Sequence, residues 1–141
     1  MNIENIALFL LRISIGWLFF YAGITKILDN TWTAEGYIKG AKTLPTLYNY
    51  LLQPGVLPVV NLMVEWGLLL IGISLILGIF LSISAPLGML MMVLLYLPIL
   101  QFPYPNAHSY IVDEHVIYFF ALFVLWALNA GRVFGLGGRF G

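Results

Sequence analysis

Residues 66–107 read WGLLLIGISLILGIFLSISAPLGMLMMVLLYLPILQFPYPNA and contain no Asp, Glu, Lys, Arg or His. Such a run is too long for one membrane-crossing helix, which takes about 20 apolar residues, and the right length for two. The break is expected at Leu81 to Pro86, where two serines and a proline interrupt the apolar residues. The segments on either side then form an antiparallel hairpin. An irregular chain in hydrocarbon leaves backbone donors and acceptors unpaired, so each span has to be helical.

Outward from this run, the rest of the chain has the same character. Of 141 residues, 62% are hydrophobic and 9% are charged, six basic and six acidic. A soluble domain has about a quarter of its residues charged, and twelve charged side chains cannot clothe a chain of this size in water. The expected fold is all-α: an integral membrane four-helix bundle forming one domain over 1–141, with spans at about 5–28, 57–80, 84–100 and 110–130. Met1 to Asn5 lacks the basic residues of a signal peptide and no small-residue cleavage site follows, so the first span reads as retained. Four spans put both termini on one side. Lys39 and Lys42 in the first loop nearly balance Arg132 and Arg139 in the tail, so basic-residue bias leaves the orientation open.

The loop 29–56 is long for such a bundle. Leu44, Leu47, Tyr48, Leu51 and Leu52 recur at helical spacing around Pro45, which predicts a short helix in the membrane interface. It can serve as an anchoring cap or as a lid over a site. Zero formal net charge and the absence of a basic run point away from nucleic acid. The absence of cysteine removes disulfides, thiolate metal sites and iron–sulfur clusters from this chain. Two histidines, one in a proline-rich loop, make haem ligation across helices a poor fit. No Glu-x-x-His pair exists for a di-iron bundle, and no metal is expected.

Charged groups at membrane depth are costly, so they usually face the bundle interior and have partners. Arg12, Gly16, Phe19, Gly23 and Lys26 step by 4, 3, 4 and 3, which places them on one helix face. The glycines either let a neighbouring helix approach or leave room for a flat ligand. Asn61, Glu65, Leu68 and Gly72 form a similar stripe on the second span, and His115, Tyr118, Leu122, Trp126 and Asn129 one on the fourth. At 1.5 Å per residue, Arg12 lies ~10 Å below one surface and Glu65 ~12 Å below the other. In a ~30 Å core the remaining gap of ~8 Å can be largely closed by two extended side chains, so an Arg12–Glu65 pair is expected. It can be a structural ion pair or part of a proton path. Lys26, Asp113, Glu114 and His115 fall together near the first-loop surface. They form either a polar cluster at the mouth of the bundle or a solvated helix start. Tyr118 follows His115 one turn deeper, and either side chain can hydrogen-bond a ligand carbonyl.

These residues carry a resemblance. The segment LRISIGWLFFYAGITKIL (11–28), the segment VEWGLLLIGISLILG (64–78), Asp113-Glu114-His115 and NAGRVFGLG (129–137) together resemble the DoxX/DoxD family of membrane proteins. The resemblance implies four membrane helices with both ends cytoplasmic. It also implies a role like that of the small membrane subunit of a thiosulfate:quinone oxidoreductase, in the cell membrane. Quinone is then the expected cofactor. Arg12, Glu65 and His115 are the candidate catalytic residues, and Lys26, His115 and Tyr118 the candidates for cofactor binding. Two departures are present: no basic residue follows the second span at Leu81 to Ser84, and the tail ends in a glycine-rich GLGGRFG without an acidic residue after Gly-Leu. Nothing in the chain carries electrons by itself, so a partner subunit or direct substrate-to-quinone chemistry is required. The competing expectations are a non-catalytic accessory subunit of a larger complex and, provided the chain forms a homo-oligomer, a solute or proton pathway.

Overall fold

The computed structural model describes residues 2–140, so Met1 and Gly141, the ends of the expected domain, lie outside the described residues. The elements are α1 (Ile3–Leu28), α2 (Glu35–Lys39), α3 (Pro45–Leu51), α4 (Leu57–Leu77), α5 (Leu81–Ile99), α6 (Glu114–Ala127), a 3-10 turn at Ala130–Arg132 and α7 (Gly137–Phe140). Among the described residues there is no strand beyond two isolated bridges, Gln101 with Tyr104 and Asn106 with Ser109. Helices α1, α4 and α5 are long and apolar enough to cross a membrane. Helix α6, at 14 residues, is apolar but shorter. At 1.5 Å per residue it measures ~21 Å, less than a ~30 Å hydrocarbon core. The last expected span, 110–130, therefore contracts to 114–127, because Asp113 caps the helix and Leu128 ends it.

Helices α1 and α4 run antiparallel and are packed through glycine. A Cβ on Gly72 would sit 2.4 Å from the Phe20 backbone nitrogen, and one on Gly23 2.4 Å from that of Leu69. The backbones thus touch where these residues meet, as at small-residue interfaces in membranes. Of the two uses open to Gly16 and Gly23, close helix approach is the one realised. Helix α6 returns antiparallel along α5, with Leu122 against Gly88. Phe19, Leu75, Leu122 and Leu125 are fully buried at the centre. On α6 the buried line runs through Leu122 and Leu125, while Trp126 and Asn129 turn outward, so the expected His115-to-Asn129 face is only partly interior.

The α4–α5 break lies earlier than expected. Gly78 ends α4 in the left-handed region at φ 71° and Phe80 follows at φ 55°, so α5 runs through Leu81, Ser84 and Pro86. Pro86 withholds one helical donor without ending the helix. Ser84 turns inward, where its hydroxyl lies 2.7 Å from that of Ser74.

The first loop docks on the far end of α5. Pro98 has no N–H to offer the Leu94 carbonyl one turn before it. The Tyr48 hydroxyl, from α3, donates to that carbonyl at 2.9 Å, and the Tyr37 hydroxyl, from α2, donates to Leu95. Lys42 N–H donates to the Pro98 carbonyl at 3.3 Å and the Thr43 hydroxyl to Leu100 at 2.9 Å. Carbonyls that a helix C-terminus leaves open are thus taken up by the loop. Ala34, Ile38 and Tyr48 form a second small core beneath it. The short helix expected after Pro45 is present as α3, and α2 is an addition to the expected pattern.

Candidate functional site

The best-organised polar group lies at the first-loop end, where α6 begins. Asp113 is the N-cap: its Oδ1 accepts from the backbone N–H of His115 at 2.9 Å and of Val116 at 3.3 Å. Its other oxygen, Oδ2, lies 2.8 Å from His115 Nδ1. Facing a carboxylate oxygen, Nδ1 is the ring nitrogen that carries the hydrogen, which leaves Nε2 as the free position. Asp113 is 7% exposed, so the contact is shielded from water. The imidazole lines a groove of about 190 Å³ between α5 and α6, bounded by Met92, Val93, Tyr96, Val116 and Phe119. Of the two readings of this helix start, Asp113 answers to a buried cap that orients an imidazole, whereas Glu114 is exposed.

The neighbours of this pair come from α5 and the first loop. Tyr96, on the groove wall, donates its hydroxyl to the Ile111 carbonyl. Burial, together with the negative charges of Asp113, Tyr48 and Glu114, pushes the Tyr37 phenol up to about 12. Burial also raises Tyr48. Asp29 lies below its ordinary value because the Thr31 hydroxyl and N–H donate to its carboxylate at 2.7 and 3.0 Å.

The other candidates are dispersed. Lys26 Nζ donates to the Ala22 carbonyl at 3.3 Å and lies 5.5 Å from the centre of the Trp32 ring. Among the described residues the lysine or arginine contact with a carboxylate within 4.0 Å is Lys39–Glu35, so Lys26 has no carboxylate partner there. Glu65 is half-buried on α4, one turn from Asn61, whose side-chain oxygen accepts from Ala34 N–H at 2.9 Å. Tyr118 is half-buried against the central core and is not among the residues lining the groove.

Arg12 lies at the opposite end and does not pair with Glu65. Its Nη1 donates to the carbonyls of Ala130 at 2.6 Å and Val133 at 3.0 Å, and its Nη2 to Phe134 at 3.4 Å. The side chain is fully buried, with the Phe9 ring 5.6 Å from the guanidinium carbon and no protein partner for Nε. Glycines make room for it. A Cβ on Gly78 or Gly135 would fall within 2.6 Å of Nη1. The Leu136 N–H donates to the Leu77 carbonyl at 3.0 Å, which fixes the tail against the α4–α5 turn. Extension toward Glu65 gave way to a nearer set of unpaired carbonyls. The clue was the glycine spacing of the tail, but a sequence gives no direct sign of which backbone oxygens are left open.

A bundle of apolar helices, three of them long enough to cross a bilayer and with few charges along them, is a multi-pass membrane protein. The chain belongs to the DoxX family, whose sequence model matches residues 7–99. The match takes in α1 to α5 and stops before Asp113, His115 and the tail around Arg12. No curated protein and no solved structure matches the chain significantly.

Proposed function

We propose that this protein is a membrane subunit of a quinone-linked redox system, similar to a thiosulfate:quinone oxidoreductase. In this reading it crosses the cytoplasmic membrane four times and works with a partner subunit. The observation that carries the reading is His115, held at Nδ1 by buried Asp113 with its ring on the wall of an apolar groove. At about 190 Å³ the groove is smaller than the ~300 Å³ at which small-molecule sites usually begin. It suits a single ring whose apolar tail stays among lipids, and its Met, Val and Phe lining fits such a ring.

A bound quinone would supply an acceptor for two electrons and two protons. The chain's own residues would orient it and handle protons. His115 would hold a proton at Nε2 in its charged form, with Asp113 carrying the balancing charge, and would present that N–H to a carbonyl oxygen. Lys26, without a carboxylate partner, would offer positive charge to an anionic sulfur substrate at the same end of the bundle. Tyr118, one turn below His115 but off the groove wall, is the weaker candidate for contact with the ring. Arg12 takes a supporting part, since its donors are engaged by the tail. Glu65 remains the candidate for proton entry from α4.

The alternative is a non-catalytic accessory subunit. Its support is that Arg12, Gly23 and Gly72, the most conspicuous membrane-embedded features, are all engaged in packing. Gentle purification followed by mass spectrometry of co-purified lipids, in wild type and His115→Ala, separates the two. Stoichiometric quinone lost in the variant supports the redox reading. Quinone-free protein that arrives with stoichiometric partner chains sinks it in favour of the accessory role.

A further inference from the structure

Ile111 lies two residues before the cap of α6 with φ 58°, in the left-handed region. A β-branched side chain is disfavoured there, and such backbone persists only where its surroundings hold it. Two hydrogen bonds do so. The Ile111 N–H donates to the Pro103 carbonyl at 2.7 Å, and the Ile111 carbonyl accepts from the Tyr96 hydroxyl. The first ties the turn to its own loop; the second ties it to α5, across the groove from His115. Asp113 follows after Val112 and touches His115 at Nδ1. We infer that Tyr96 is the positioning residue of the Asp113–His115 pair. Its hydroxyl pins the strained turn that delivers the Asp113 carboxylate to Nδ1, and so decides which nitrogen of the groove-lining ring carries the hydrogen. The inference rests on the reading of His115 as the working group of that groove.

The physical logic is a competition. An unconstrained neutral imidazole favours the hydrogen on Nε2, whereas a carboxylate held at Nδ1 reverses that preference. Without the Tyr96 hydroxyl, strain at Ile111 favours relaxation of the turn, and the carboxylate loses its register with the ring. Phenylalanine at 96 keeps the groove wall and removes only the hydrogen bond.

The experiment is nitrogen NMR of histidine-labelled protein in detergent, in which the two ring-nitrogen shifts report the tautomer. The resonances are assigned against His115→Gln. Wild type is expected to carry the hydrogen mainly on Nδ1. Tyr96→Phe is expected to lower the Nδ1–H to Nε2–H ratio about tenfold, the effect of losing one hydrogen bond, with a small fall in melting temperature. Adding Ile111→Gly, which tolerates positive φ, is expected to restore the ratio. The double variant, free of the strain, is also the form to measure if Tyr96→Phe does not fold. An unchanged ratio in Tyr96→Phe, or a double variant that does not regain the Nδ1–H form, overturns the inference. Quinone retention in His115→Ala is a separate readout. It can sink the redox reading while the tautomer result stands, and the reverse.

Discussion

Arg12 Nη1 donates to the Ala130 carbonyl over 2.6 Å, joining the first helix to the turn that follows the last apolar one. The guanidinium meets backbone oxygens and an aromatic ring, with no carboxylate of the described residues within 4.0 Å. A cation in this setting is stabilised by oriented carbonyl dipoles, whose own hydrogen-bonding capacity it fills. Both partners gain, and the tail becomes part of the bundle.

Removal of the guanidinium leaves the Ala130 and Val133 carbonyls short of donors. Arg12→Gln is expected to destabilise by about 3 kcal/mol, in the range found when one member of a buried polar set is deleted. Lysine is expected to recover only part of the loss, since its point charge lacks the planar fork. Hydrogen exchange gives the local readout. The Leu136 amide, bonded to the Leu77 carbonyl at 3.0 Å, should lose protection in Arg12→Gln while amides in the middle of α4 keep theirs. Equal loss at both places would mean that the latch is not local.

Glycine substitutions should divide by what surrounds them. A methyl on Gly72 meets the Phe20 backbone at 2.4 Å, and backbone cannot yield as a flexible side chain does. Gly72→Ala is expected to cost about 1–3 kcal/mol, as overpacking does. Gly36 and Gly138 face open space, and alanine there is expected to stay within about 0.5 kcal/mol of wild type. Thermal melts of the three variants in one detergent make the comparison. A silent Gly72→Ala would exclude the close α1–α4 contact.

Much of this was legible because burial in lipid leaves a coarse signal. The face through Arg12, Gly16, Phe19 and Gly23 is buried, as its period of four and three requires. The limits of α1, the start of α4 and the short helix after Pro45 also follow the pattern. The α4–α5 break did not, because Ser82, Ser84 and Pro86 looked like breakers. A proline in an otherwise apolar helix removes a single bond, whereas Gly78 and Phe80 reverse the chain. At the site, the Asp113 and His115 spacing was visible. The choice of Nδ1, the part played by Tyr96 and the destination of Arg12 depend on backbone atoms, which residue types do not encode.

The Tyr37 phenol gives a pH dependence of definite sign. Its value is raised from the ordinary 10.0 to about 12, so the folded protein keeps this proton after the unfolded chain has released it. The contribution is complete below the unfolded value and is lost as pH rises toward the folded one. Melting temperature is expected to fall between about pH 10 and pH 12, and Tyr37→Phe should flatten that fall. Asp113→Asn should also moderate it by removing one of the charges that raise the phenol. An identical slope in Tyr37→Phe would assign the alkaline loss to other groups.

Tyr48 and Pro98 are expected to be coupled. The Tyr48 hydroxyl serves the Leu94 carbonyl at 2.9 Å, an oxygen that Pro98 leaves without its helical donor. Tyr48→Phe is expected to cost about 1–2 kcal/mol, the penalty for an unsatisfied buried acceptor. Pro98→Ala supplies an N–H at that position and carries its own packing loss, since Pro98 is fully buried. In the alanine background the Leu94 carbonyl has its helical partner, so Tyr48→Phe should cost about 1 kcal/mol less than in wild type. Four melting curves close the cycle. Strict additivity would show that the Tyr48 hydroxyl contributes nothing by serving the Leu94 carbonyl.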